Sequence, residues 1–141
     1  MLSHKLDDPL SNASTLYLLG EVARLQGDTM HAMKLYIEFL ALNQVVGDKA
    51  MIGFALHNLG KIVQAHGELE RAALLFGAAQ SLREDSTNTT SWSLTNHAEC
   101  DRDITALRNR LDKEAFWLAW AKGQAMSGDD AITYVLSLQG D

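Results

Sequence analysis

Four sets of residues have types and spacings that could do chemistry. His97-x-x-Cys100 places a ring nitrogen and a thiol one helical turn apart, a spacing that suits a metal ion. A zinc site takes three or four ligands and no second pair follows, so the simpler expectation is Cys100 in the core with His97 on its rim. His57 and His66 are too far apart to share a turn, and no Gly-x-Ser-x-Gly elbow accompanies the serines. Asp101 and Asp103 flank Arg102 on a helical stretch and read as a solvated face. Phe116, Trp117 and Trp120 could cage a ligand, but their spacing of three and four also describes a helix core. These residues predict no catalytic site, no cofactor and no metal.

The elements that must position them come in two copies. At an offset of 40 residues the pairs Leu16/Leu56, Leu19/Leu59, Gly20/Gly60, Gly27/Gly67, Ala32/Ala72, Leu35/Leu75, Tyr36/Phe76 and Leu42/Leu82 match in type. Each copy reads as a helix, a tight turn at Gly27-Asp28 or Gly67-Glu68, and a second helix. Self-similarity of this period marks stacked helical hairpins, none of which buries its apolar face alone. Glycine enters the left-handed region that ends a helix, and the acid after it caps the next one. Gly47-Asp48 reads as a further stop and cap. Gly20 and Gly60 lie inside helices, where glycine costs about 1 kcal/mol relative to alanine. Their recurrence predicts a neighbouring helix too close for a side chain, with Tyr36 and Phe76 filling the adjacent space.

Apolar stripes follow at Leu16, Leu19, Ala23 and Gln26, and at Ala32, Leu35, Tyr36, Phe39, Leu42 and Val46. The second copy carries Ile52, Ala55, Leu56, Leu59, Ile62 and Val63, and then Leu69, Ala72, Leu75, Phe76, Ala79 and Leu82. Residues 84–95 read as a polar surface loop, with a cap following near Ser93 to Asn96 and Glu99 placed to complete a capping box if Asn96 leads. Leu94, His97, Cys100, Ile104, Leu107 and Leu111 form the next stripe. Asp112 or Lys113 opens the segment 115–121, apolar around its circumference and so expected to be buried on several sides or to meet a partner, with Gly123 closing it. Ser127 caps a last helix whose Ile132, Val135 and Leu136 face inward.

Leu-x-x-Leu-Gly, then Gly-Asp or Gly-Glu, then Ala-x-x-x-aromatic resembles the tetratricopeptide repeat, with its usual period stretched and its terminal proline absent. Two further segments extend the likeness: Ala72–Arg83, and Glu114–Met126 followed by Asp129–Ile132. Together they resemble the carboxyl-terminal sensor region of large bacterial LuxR-type transcription regulators and predicted signalling ATPases. Neither a phosphate-binding loop nor a recognition helix is present, so neither activity is carried over, and the resemblance implies a fragment or stand-alone relative of the sensor region. It implies an all-α, tetratricopeptide-like right-handed superhelix of antiparallel helix pairs in a single domain over 1–141. The lead-in is 1–9, the repeats are 10–46 and 48–84, and a helical cap covers 94–138.

Composition bounds the function. The 141 residues carry 47% hydrophobic residues and one proline, as an ordered helix-rich chain does. A net charge of −6 with scattered basic residues argues against a nucleic-acid grip. One cysteine suits a reducing cytoplasm, no apolar run is long enough for a bilayer, and residues 1–8 lack a signal-like apolar core. In the resembling family the leading helices line a concave binding surface. That implies a groove of Tyr17, Glu21 and Arg24 from the first copy and Phe54, His57, Asn58, Lys61 and Gln64 from the second, suited to an extended peptide or protein segment. The expected function is a non-catalytic protein-interaction scaffold with a protein or peptide partner or a second copy of itself. The competing expectation is a small-molecule sensor with its ligand held between that groove and the Phe116–Trp120 segment.

Overall fold

A computed structural model describes residues 9–46, 49–84 and 91–139, with side chains over 14–43, 49–84 and 97–138. Among the described residues all regular structure is helical: α1 (Pro9–Leu25), α2 (Thr29–Val46), α3 (Lys49–Ala65), α4 (Leu69–Glu84), α5 (Ser91–Arg108), α6 (Lys113–Gln124) and α7 (Gly128–Gln139). None of these helices is long and apolar enough to cross a membrane. Contacts divide the chain into two compact units, Met1–Asp48 with Ile132–Asp141, and Lys49–Ala131.

In the first unit α1 and α2 pack as a hairpin. Gly27 takes φ 84°, and its N–H donates to the Arg24 carbonyl (3.0 Å) while Asp28 N–H reaches the Ala23 carbonyl (2.9 Å). This pair of bonds ends α1, and the Asp28 carboxylate then accepts from His31 N–H (3.3 Å) to start α2. The second unit repeats the turn bond for bond. Gly67 takes φ 89°, its N–H donates to Gln64 (2.9 Å), and Glu68 N–H donates to Val63 (3.0 Å).

The mid-helix glycines do what their recurrence predicts. A Cβ on Gly20 would lie 2.9 Å from Cε1 of Tyr36, and one on Gly60 2.5 Å from Cε1 of Phe76. The first helix of each hairpin therefore rests its glycine on the aromatic ring of the second. This corrects the inward face expected for α1. Tyr17, Gly20 and Ala23 are buried, whereas Leu19 and Gln26 are exposed, because the face turns to centre on Gly20.

In the second unit α4 is central, packed against α3, α5 and α6. Its contact with α6 is backbone on backbone: a Cβ on Gly77 would lie 2.5 Å from the Trp120 carbonyl oxygen, and one on Gly123 2.8 Å from Ala78 N. Gly123 thus lies in the last turn of α6, one residue before its end at Gln124, and serves there as a close-approach residue. Asp112 caps α6, accepting from Ala115 N–H at 3.1 Å. The segment 115–121 buries one face only. Phe116 and Ala119 are inside, but Trp117 and Leu118 are exposed, so burial on several sides is not found. Ser127 and Asp130 exchange side chain-to-backbone bonds (3.0 and 3.3 Å) at the start of α7.

Helix α5 begins at Ser91, ahead of the expected cap, so Asn96 lies inside it and residues 91–95 are helical rather than loop. Residues 85–90 and Gly47-Asp48 lie outside the described residues.

Candidate functional site

Within the first unit, Tyr36 is fully buried and its hydroxyl donates to Glu21 Oε1. Arg24 Nε donates to the same carboxylate at 3.2 Å and to the Tyr36 hydroxyl at 3.3 Å. Burial and the Glu21 carboxylate push the Tyr36 phenol well above its ordinary range, so it stays a donor. Tyr17 packs its ring on Tyr36 and Phe39, with centroids 5.9 and 5.4 Å apart.

The second unit holds a different set at the same positions. His57, the counterpart of Tyr17, lies flat against Phe76 with centroids 4.3 Å apart. Its Nε2 sits 2.9 Å from Asp103 Oδ2, and Lys61 Nζ lies 3.5 Å from the same oxygen. Burial drives the His57 pKa down and outweighs the Asp103 bond. Burial pulls Asp103 upward, but His57 and Lys61 together hold its carboxyl below the ordinary value. An ionised Asp103 can only accept, so neutral His57 carries its proton on Nε2. Its Nδ1 lone pair then points into the protein with no partner.

Beside this pair lies Arg83, only 3% exposed. A Cβ on Gly53 would stand 2.8 Å from Arg83 Cγ, so the glycine makes room for the arginine stem. The guanidinium stands 5.7 Å over the Phe54 ring, and Nη1 donates to His97 Nδ1 at 2.9 Å. Arg83 Nε and Nη2 are buried without a partner. His97 is held below its ordinary pKa, first by burial and then by the Arg83 charge. Cys100 is buried as expected, and burial pushes its thiol up to about 11, which keeps it protonated and unreactive.

The groove expected from the resemblance is redrawn by these positions. Tyr17, Phe54, His57 and Asn58 are buried, and the first three pack their rings inside their own units. Glu21, Arg24, Lys61 and Gln64 are half-buried, and the first three are held in the ion pairs just described. Asp103, expected on a solvated face, turns inward to His57 and Lys61. Phe116 stacks on Trp120 (5.5 Å) and meets Trp117 edge-on (4.9 Å), so the aromatic trio satisfies itself and forms no open cage.

The open apolar surface lies elsewhere on α1. Leu18, Leu19, Val22 and Leu25 are 62%, 49%, 50% and 76% exposed. Their counterparts Asn58, Leu59 and Ile62 are 8%, 3% and 2% exposed, and only the pair next to the turn, Leu25 and Ala65, is open in both copies. The spacing of Leu18, Val22 and Leu25 by four and three marked this second stripe in the sequence.

Among the described residues the regular structure is therefore all helical, with α1–α2 and α3–α4 each packed as a pair across the same turn. No family model matches it, and neither the curated proteins nor the solved structures supply a match.

Proposed function

We propose that the chain is a non-catalytic interaction scaffold of tetratricopeptide type, a regulatory or sensor fragment of a larger bacterial signalling or transcription-regulatory protein, and that it associates with a second copy of itself through α1. The observation that supports this is the apolar stripe of α1, open at Leu18, Leu19 and Val22 where the same register of α3 is closed by protein. Exposed apolar patches of a few hundred Å² on a soluble chain mark interaction sites. A second copy is the occupant because of charge. The ionisable residues of α1 are Glu21 and Arg24, and they pair with each other. Two such faces can meet about a two-fold axis with no unmatched charge, although the chain as a whole carries −6.

Light scattering across a concentration series tests this. The expected result is a dimer that Leu18→Lys with Val22→Lys converts to monomer at unchanged helicity, while Leu118→Lys on α6 leaves it intact. A wild-type chain that stays monomeric at high concentration overturns self-association through α1.

A second reading, a small-molecule effector sensor, is favoured by one observation, the buried Arg83 with two unpartnered nitrogens. Its site is moved from the Phe116–Trp120 segment to the α3–α4–α5 cluster.

A further inference from the structure

We propose that Arg83 is an oxyanion site, whose Nε–Nη2 edge receives the two oxygens of a carboxylate or a comparable small oxyanion such as phosphate. The inference rests on the effector-sensor reading and is independent of the α1 face. Burying a cation without a counter-charge is costly, so an arginine that is only 3% exposed and has no carboxylate partner among the described residues needs an explanation.

The geometry gives one. Nη1 is occupied by His97 Nδ1. The two unpartnered nitrogens, Nε and Nη2, are neighbours along one edge of the planar group. Their N–H bonds run parallel at the spacing of two carboxylate oxygens, which is the bidentate fork that distinguishes arginine from lysine. A random failure of packing would leave scattered donors; here one complete fork is free and the opposite side is tied down.

The surroundings hold that fork in place. Gly53 admits the stem and the Phe54 ring lies beneath the guanidinium. The inward carboxylate of the cluster, Asp103, is already shared by His57 and Lys61. Lys61 is thus paired with the half-buried Asp103, and Arg83 has its neutral partner His97 and no share of that carboxylate among the described contacts. Glu84 and Asp101, which also act on His97, are exposed, and Glu84 accepts from Gln80. Because the free nitrogens are shielded from solvent, exchange of a ligand requires a local opening around them, and α5 is tied to the same guanidinium through His97.

The test uses the whole chain with acetate or inorganic phosphate against chloride at matched ionic strength. Thermal unfolding is expected to show a saturable rise in Tm with the oxyanions and not with chloride. Arg83→Lys keeps the charge and removes the fork, so it should weaken binding by about tenfold or more. The arginine Nε–H resonances of the unmodified protein give a readout that needs no variant: one should titrate in parallel with slower amide exchange over 97–108. An oxyanion response equal to that of chloride, or one retained in Arg83→Lys, overturns the proposal.

Discussion

Replacing Gly60 by alanine opposes two effects of known sign. Alanine is the better helix former by about 1 kcal/mol at an interior position. Its methyl would lie 2.5 and 2.7 Å from Cε1 and Cδ1 of Phe76, where carbon atoms rest at roughly 3.5–4.0 Å. The ring must retreat by about 1 Å. It is fully buried and backed by His57 at 4.3 Å, so it has nowhere to go without disturbing the His57–Asp103 bond. Overpacking of this kind costs about 1–3 kcal/mol, which leaves a net loss of up to about 2 kcal/mol. Gly20→Ala meets Tyr36 at 2.9 Å, a milder clash, and should fall near zero. Urea unfolding followed by circular dichroism measures both. In a double-mutant cycle, Phe76→Leu should rescue Gly60→Ala, with a coupling of about 0.5–3 kcal/mol. A Gly60→Ala chain that gains the full 1 kcal/mol, as a solvent-facing glycine would, refutes the account of why that glycine is there.

Other perturbations follow from the same contacts. Gly123→Ala directs its methyl at the Leu74 carbonyl oxygen and at Ala78 N (2.8 Å), backbone atoms that no rotamer change can remove. It should cost about 2 kcal/mol or more in chemical denaturation and separate α6 from α4. His57 and His97 both have lowered pKa values, so the unfolded chain binds protons that the folded one refuses. Stability is then full above about pH 6.5 and falls as the pH drops below it. The Asp103 contribution persists to lower pH and is lost as the pH falls from 3.8 through its depressed value, so Asp103→Asn should flatten that acid limb in a Tm-versus-pH series. Cys100, buried and with its thiol raised to about 11, should resist a thiol-directed chromogenic reagent in the native chain and react at once in urea.

The turns and the close-approach glycines were legible because they depend on local backbone demands that a repeat displays twice. Gly27 and Gly67 need positive φ, Gly20 and Gly60 need space, and no distant residue decides either. The stripe of α3 was readable in part only. Every residue from Ile52 to Gly60 is buried, so no change of period announces which side faces outward, and Phe54, His57 and Asn58 were placed on a groove. Arg83 was hidden for a different reason. In the last turn of α4 it reads as a cation complementing the helix dipole at the surface. Its burial depends on Gly53, 30 positions earlier, and on His97 across a connection, pairings that one sequence cannot display. Asp103 turned inward for the same long-range cause.

One hydroxyl accounts for much of the divergence between the two hairpins. In the first, the Tyr36 phenol is buried and requires an acceptor, which Glu21 supplies, and Arg24 then balances that carboxylate. These three side chains meet between α1 and α2. In the second, Phe76 presents no hydroxyl, so position 61 is released from supplying an acceptor and holds a lysine. The ring face is covered by His57, and the polar ends of His57 and Lys61 point onward to Asp103 of α5. The same backbone, with the same glycine against the same ring position, therefore carries one polar set between α1 and α2 and one that reaches across to a third helix. That difference explains why α1 can leave an uncharged apolar face open while α3 is bound into a cluster with α4 and α5. It also places the buried, half-satisfied Arg83 in the copy whose polar groups already reach outward for partners.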